Sequence, residues 1–268
     1  MIVGDMRHAA NKSYAIPVSA QAVAIVYNIP SFPDIPSGMK LDASLLASIF
    51  NGTVVKWNNP AIKDLNQGMN LPDEKIVVVH ENGRSSSLSL LEKYLSMSVI
   101  WPSNSIGVLG PDELAATVRK TPYSIGYVDF SFATQTRMTF AAVANPHYQY
   151  VLPSIDSIDQ AVNSSLQVQN VTNVNRTVNL IPPFINASMF GNSSYPVTGL
   201  YYAALPNRMS GAADDATLDF VRWTIDKNVG QQVLPQVQYP PIYKEDGPLS
   251  KYAGAIINGT VSRATKGG

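Results

Sequence analysis

The residues from Lys75 to Met97 read KIVVVHENGRSSSLSLLEKYLSM. The first six form a short, β-branched apolar run, which is typical of a buried strand. A polar loop around Gly83 follows, and apolar residues then return at helical spacing from about Ser87 to Met97. We therefore predict a strand, a polar loop and a helix in direct succession, which is the βα half of a parallel-sheet unit.

The same alternation continues on both sides of this stretch. Before it, the apolar run Gln21–Asn28 predicts a strand, and Asp42 is a suitable N-cap for a helix over Ala43–Phe50. After it, Pro111 opens the helical segment PDELAATVRK, and Ser124–Phe130 (SIGYVDF) predicts the next strand. Alternating strands and helices predict an α/β fold with a mainly parallel sheet.

The second half of the chain is less regular in its pattern. Residues 154–194 are rich in Asn, Ser and Val and poor in charge, which predicts an extended excursion over the surface. Regular structure returns with a strand at Thr198–Leu205 and an amphipathic helix at Ala212–Asn228. One face of this helix carries three apolar residues, Leu218, Val221 and Ile225.

The composition excludes several classes of function. The 19 basic and 19 acidic residues cancel, so no basic stripe is available for nucleic acid, and none is expected as a partner. The three histidines, His8, His80 and His147, are far apart in the sequence, and cysteine is absent, so we predict no metal site and no cofactor. The chain has no G-x-S-x-G elbow and no Walker loop, and we predict that it is not an enzyme.

Potential N-glycosylation sites indicate an extracellular or cell-surface location. The pattern N-x-S/T occurs eight times, where the composition alone predicts about three. An Asn- and Ser-rich loop is the alternative source of such patterns, because most of them lie in one segment. The first residues lack the apolar core of a signal peptide, so we expect any leader to be removed or to lie upstream. The sites are Asn11, Asn51, Asn163, Asn170, Asn175, Asn186, Asn192 and Asn258.

The polar loop between His80 and Ser87 is the candidate binding site. Backbone N–H groups at a helix start, serine hydroxyls and Arg84 together are suited to holding an oxyanion. A run of serines before a helix is also typical of simple helix capping. The residues themselves leave both interpretations open.

The stretch Leu46–Pro72 reads LASIFNGTVVKWNNPAIKDLNQGMNLP. It resembles the IF.G...KW.DPAI..LNPG..LP pattern of the phosphate-type periplasmic substrate-binding proteins of ABC transporters, in the type II periplasmic binding protein superfamily. Four further stretches resemble the same family in the same order, as does the later helix that ends in FVRWTIDKNVGQQ, and the resemblance covers most of residues 15–240. The four stretches are Ala15–Pro30 with its AVAIVYNIP, Trp101–Pro102, LAATVRKTPYSIGYVDFSFA from Leu114 to Ala133, and YPVTGLYY from Tyr195 to Tyr202.

This resemblance implies a protein of two lobes that close on phosphate and pass it to a membrane permease. The family loop reads approximately R-x-D-G-S-G-T, and only Gly83 and the hydroxyl of Ser86 follow it here. Histidine replaces the arginine at His80, and the positive charge is displaced to Arg84. Asp5 is the candidate for the family carboxylate that accepts the proton of phosphate. The implied phosphate contacts of the loop are Gly83, Arg84, Ser85, Ser86 and Ser87.

The resemblance also implies the domain organisation. Residues 18–194 correspond to a near-complete ligand-gripping lobe, and residues 1–17 with 195–268 correspond to part of a second lobe. Family members carry a further half-lobe before Ala15, so we expect another segment or another chain to complete the second lobe. Otherwise a sheet edge and the apolar face of Ala212–Asn228 would be exposed and the protein would self-associate.

Two functions are compatible with these observations. The first is capture of phosphate or a related oxyanion for an ABC-type transporter. The second is a structural, adhesion or sensing role at the cell surface, for a glycosylated scaffold that has lost phosphate binding. The fold by itself does not distinguish them.

We predict that several sites between Asn163 and Asn192 carry glycans, because this segment is polar and poor in charge. Intact-mass measurement of native material should show increments that contain hexose. A mass equal to that of the bare polypeptide would refute the prediction.

Overall fold

The computed structural model describes residues 13–30, 38–168, 191–206, 212–244 and 247–264. The strands in this part of the chain are β1 Ser13–Asn28, β2 Lys40–Leu41, β3 Val77–Glu81, β4 Ile106–Val108, β5 Ser124–Asp129, β6 Ala142–Ala144, β7 Tyr150–Val151 and β8 Thr198–Pro206. The helices are α1 Ala43–Phe50, α2 Pro60–Leu65, α3 Ser86–Leu95, α4 Gly110–Lys120, α5 Phe130–Gln135, α6 Ile155–Val168, α7 Ala212–Ile225, α8 Gly230–Val233 and α9 Pro248–Ala264.

The main sheet has the strand order β4-β3-β5-β1-β8. β3 is parallel to both β4 and β5, and β1 is antiparallel to β5 and to β8. A smaller sheet has the order β2-β6-β7. The predicted α/β architecture is confirmed, with its parallel strands at one side of the main sheet and the antiparallel pair β1 and β8 at the other.

β1 is a single strand of 16 residues that changes partner along its length. Its second half pairs with β5 from Val23 to Asn28, and its first half pairs with β8. The register with β8 shifts between Pro17 and Ser19, which fits the absence of an N–H donor on proline. The strand predicted at Gln21–Asn28 therefore pairs mainly with β5, and the strand predicted at Thr198–Leu205 pairs mainly with the residues that precede Gln21.

Helices cover both faces of β5. A Cβ atom built on Gly126 would lie 2.9 Å from the side chains of Leu114 and Val118, so α4 approaches this face of the strand closely. The next residue points to the other face, where the ring of Tyr127 lies 6.2 Å from that of Phe50 on α1. The hydrophobic core thus lies on both faces of this sheet, as buried parallel strands require.

The surface excursion predicted for residues 154–194 is wrong for its first part. Residues Ile155–Val168 form helix α6, which packs against β1 and β8. Ile158, Ala161 and Val162 are buried at the spacing i, i+3, i+4, which is a helical pattern that the Asn- and Ser-rich composition obscured. Residues 169–190 lie outside the described residues.

The prediction that the apolar face of α7 is uncovered is also wrong. Leu218 and Val221 are 4% and 3% exposed, and Ile225 packs against the core. The C-terminal segments fold back on the first half of β1, so this face has a partner. The exposed apolar residues lie elsewhere on α7, where Phe220 and Trp223 stack with ring centroids 6.1 Å apart. No helix in the described ranges is long and apolar enough to cross a membrane.

Gln231 on α8 connects the C-terminal segments to β1. Its side chain is fully buried, and its Nε2 donates to the carbonyl oxygens of Val18 and Thr224 at 3.1 and 2.8 Å. Its Oε1 accepts from the backbone N–H groups of Ile242 and Tyr243 at 2.8 and 3.3 Å. One amide therefore satisfies four backbone groups in three different segments.

We predict that Gln231→Ala lowers the free energy of unfolding by at least about 2 kcal/mol, because buried backbone groups lose their partners. The neighbouring variant Gln232→Ala is a matched control, since Gln232 is exposed and its side chain donates to the carbonyl of Lys227 at the surface. Urea denaturation of both variants measures the difference. Equal stabilities would show that Gln231 does not have this role.

Candidate functional site

The predicted loop lies between β3 and α3. Gly83 has φ +96°, a backbone conformation that glycine adopts without strain. Ser85 is the N-cap of α3, and its Oγ accepts from the N–H of Leu88 at 3.1 Å. The remaining N–H groups of the first turn and the positive end of the helix dipole face the loop, an arrangement that favours an anion.

The side chains of the loop differ in exposure and in hydrogen bonding. Gly83 and Arg84 are exposed, and within the described part of the chain the guanidinium of Arg84 has no ion pair or hydrogen bond. Ser85, Ser86 and Ser87 are half-buried. The Oγ of Ser86 accepts from Nε2 of the buried Gln21 on β1 at 3.0 Å. The loop residues are thus together at one helix start, with one unpaired cation beside them.

His80 is held away from the loop. Its ring stacks on Trp101 with centroids 4.4 Å apart and an interplanar angle of 3°, and Trp101 in turn stacks on Tyr127. Nδ1 lies 3.1 Å from the carbonyl oxygen of Glu81, which only accepts, so Nδ1 carries a proton. Nε2 lies 3.1 Å from Oγ of Ser105. The histidine that replaces the family arginine is therefore a packed structural residue.

Glu81 is a buried carboxylate at the end of β3. Its side chain is 6% exposed, and its Oε2 has no hydrogen-bond partner in the structure. Glu81 was not among the site residues predicted from the sequence. The alternation along the strand was the available signal, because Val77, Val79 and Glu81 point to the same face and the first two are apolar.

Asp129 lies at the end of β5, near the loop. Its Oδ1 accepts from the N–H of Ser131 at 2.9 Å and from Oη of Tyr239 at 3.0 Å. Its Oδ2 accepts from Oη of Tyr201 at 3.2 Å. The hydroxyl of Tyr201 also interacts with that of Ser86 in the loop. This Asp129 network connects β5, β8, the segment after α8 and the start of α3.

Burial changes the acid–base behaviour of the Asp129 network. Burial raises the pKa of Asp129 above its ordinary value of 3.8, although hydrogen bonds from Tyr239, Ser131 and Tyr201 oppose the rise. Burial and the charge of Asp129 raise the pKa of Tyr239 to about 12. Both tyrosines therefore stay protonated at neutral pH and donate to the carboxylate.

The other predicted site residues are placed as follows. Asp5 and four of the glycosylation sites, Asn11, Asn170, Asn175 and Asn186, lie outside the described residues. Asn51, Asn192 and Asn258 are exposed, whereas Asn163 is half-buried and its Nδ2 donates to Asp159 at 2.9 Å. Among the described residues no group of three or more His, Asp or Glu side chains is close enough to hold a metal ion.

Comparison with known proteins identifies the family. The model of the PBP superfamily domain matches residues 4–228. The chain belongs to the PBP superfamily. This superfamily is one of substrate-binding proteins and not a class of enzymes.

Curated relatives of this PBP-superfamily chain are phosphate-binding proteins. The phosphate-binding protein PstS of Pasteurella multocida is 32% identical over 232 residues, which are 81% of this chain and 64% of the relative. The protein of the same name from Methanocaldococcus jannaschii is 28% identical over 229 residues, 76% of this chain and 57% of the relative. The resemblance predicted from the sequence is confirmed, and the chain spans less than two thirds of the length of these relatives.

Solved structures share the fold. A phosphate-binding protein from Stenotrophomonas maltophilia matches with a TM-score of 0.65 and 17% identity over 96% of this chain and 73% of that protein. The periplasmic phosphate-binding protein PfluDING, solved with phosphate, matches with a TM-score of 0.65 and 16% identity over 92% and 76%. The predicted type II periplasmic-binding-protein fold is therefore confirmed.

We predict that Asp129 makes stability fall as pH rises from about 4. A raised pKa means that the folded state binds the proton more tightly than the unfolded state does, so the contribution of Asp129 is greatest below pH 3.8 and is lost as pH rises through the raised pKa. In Asp129→Asn this contribution is absent. The free energy of unfolding of the wild type minus that of the variant should therefore decrease between pH 4 and neutrality, measured by urea denaturation. A constant or increasing difference would contradict the assignment.

Proposed function

We propose that this chain captures phosphate or a related oxyanion outside the cytoplasm as part of an ABC-type uptake system. The ligand would lie at the start of α3, held by Arg84, the N–H groups that follow Gly83, and the hydroxyls of Ser85, Ser86 and Ser87. A membrane permease is the proposed receiving partner, and no catalytic role is proposed.

One observation carries this proposal. The unpaired guanidinium of Arg84 stands beside the capped amino end of a ten-residue helix, at the carboxyl edge of a parallel strand. Ligands bind at this edge in open α/β sheets, because helix starts and strand ends converge there. The curated relatives that match this chain are named for phosphate binding, which agrees with an anion at this position.

The two lobes that we propose have the bounds that the family resemblance implies. Residues 18–194 form the ligand-gripping lobe, and residues 1–17 with 195–268 form part of the second lobe. The Asp129 network supports a ligand between the lobes, because Tyr201 and Tyr239 reach across to Asp129 beside the loop. The exposed pair Phe220 and Trp223 is consistent with a further segment or chain against the second lobe.

A second function is favoured by a specific observation. His80 is locked in an aromatic stack and Glu81 brings a buried carboxylate to the end of β3, so the loop keeps one cation and acquires a nearby acid. Both changes weaken the attraction for a dianion. The alternative is therefore a glycosylated surface scaffold for structure, adhesion or sensing that no longer binds phosphate.

Calorimetry with inorganic phosphate and with sulfate distinguishes the two functions. We predict that Arg84→Ala weakens phosphate binding by at least about 1.5 kcal/mol, or roughly tenfold in Kd, because a hydrogen bond to a charged group contributes about that much. Arg222→Ala is the control, since Arg222 is an exposed arginine paired with Asp219 on α7.

Binding that Arg84→Ala leaves unchanged would place phosphate elsewhere on the chain. No heat with either anion would favour the scaffold without phosphate binding.

A further inference from the structure

A cleft lies at the edge of the main sheet opposite to the loop. It is formed where β1 ends and β5 begins, since Asn28 is paired with Ser124 at this edge. Its volume is about 300 Å³, at the lower end of the range for small-molecule sites. The polar residues that line it include Asn28, Arg119, Thr136, Arg137 and Thr139.

The ends of two helices bring two arginines to this cleft. Arg119 is in the last turn of α4, and its Nη2 donates to the carbonyl oxygen of Thr136 at 3.1 Å. Arg137 follows the end of α5 with φ +53°, and its N–H donates to the carbonyl oxygen of Thr134 at 3.1 Å. The backbone of Arg137 and the guanidinium of Arg119 are therefore both tied to the short segment after α5.

The two guanidinium groups have little to bind within the protein. Neither forms an ion pair in the described part of the chain, and the residues that line the cleft include no Asp or Glu. Arg119 makes one side-chain hydrogen bond there, and Arg137 makes none. Both side chains are exposed and so are accessible to a ligand from solvent.

Capping of α4 does not account for these arginines, and the one carbonyl that their guanidinium groups bond among the described residues is that of Thr136 at the end of α5. Cations are common at helix C-termini because terminal carbonyl groups need donors. Here Nδ2 of Asn28 contacts the carbonyl oxygens at 118, 119 and 121 at 3.1, 2.9 and 3.2 Å. Oγ of Ser124 also lies 3.0 and 2.7 Å from those at 118 and 121. The end of α4 is thus satisfied without a guanidinium.

We propose that this cleft binds a small anion through its carboxylate or phosphate oxygens, between Arg119 and Arg137. A guanidinium presents parallel N–H groups that match two oxygens of either group, and two guanidiniums on one cleft suit a dianion. This site is separate from the loop at α3, and it does not depend on the function proposed for that loop.

The test is calorimetry of the whole chain with two probes, succinate and inorganic phosphate. Arg137→Asn is the principal variant, because asparagine tolerates the positive φ of this position and the change removes the guanidinium. Arg119→Gln is the second variant. Arg222→Ala on α7 is the control, the phosphate titrations are repeated in the Arg84→Ala background so that only the cleft is measured, and thermal unfolding verifies that each variant is folded.

We expect at least one probe to bind, and we expect Arg137→Asn and Arg119→Gln each to weaken that binding by at least about tenfold. Arg222→Ala should leave it unchanged. If phosphate occupies both sites, Arg84→Ala removes one of them and Arg137→Asn removes the other. Failure of both probes to bind at millimolar concentration, or binding that depends on Arg84 but not on Arg137, would overturn the proposal.

Discussion

The structure depends on hydrogen-bond partners for the backbone of one buried strand. β1 crosses from the C-terminal segments to the main sheet with nearly all its side chains buried, so every polar group of its backbone needs a partner inside the protein. β5 and β8 provide partners along its length, and side chains provide the others. Oη of Tyr195 donates to the carbonyl of Val23, that of Tyr243 to Pro17 and Nε2 of Gln231 to Val18. Segments distant in the sequence are fixed in place because they complete this strand.

The two edges of the same sheet carry the two candidate binding sites. At the carboxyl edge of β3, a helix start and Arg84 provide hydrogen-bond donors for an anion. At the other edge, helix ends converge, and carbonyl groups at the end of α4 accept hydrogen bonds from Asn28 and Ser124. Backbone polarity thus favours an anion at the first edge, whereas at the second edge the side chains alone have to provide the attraction.

Local patterns allowed the parallel part of the fold to be predicted. The strand Lys75–His80, the loop at Gly83 and the following helix depend on neighbouring residues, and the structure has them within a few positions. The pairing of Ala20 with Leu200 depends on residues far apart in the chain, which no local pattern reports. The helical spacing of apolar residues in α6 was present in the sequence, but the Asn- and Ser-rich composition favoured the prediction of an extended segment.

The loop residues were predictable for a different reason from the rest of the site. Gly83, Arg84 and the serines are consecutive, so a motif includes them together. Asp129 and Tyr239 are 110 positions apart and meet only because β5 and the segment after α8 end at the same place. The loss of charge at His80 could be read from the sequence, but its stacking on Trp101 could not, because the partner follows a separate helix.

The stack of His80 on Trp101 also has an optical consequence. The chain has three tryptophans, of which Trp57 is fully enclosed and Trp223 is open to solvent. Trp101 is the indole in contact with the imidazole that precedes the loop, at a centroid distance of 4.4 Å. Its emission therefore senses any displacement of the strand end beneath the loop. A soluble quencher would suppress the fluorescence of Trp223 first. The fluorescence of Trp101, next to the loop, would then contribute more of the remaining signal.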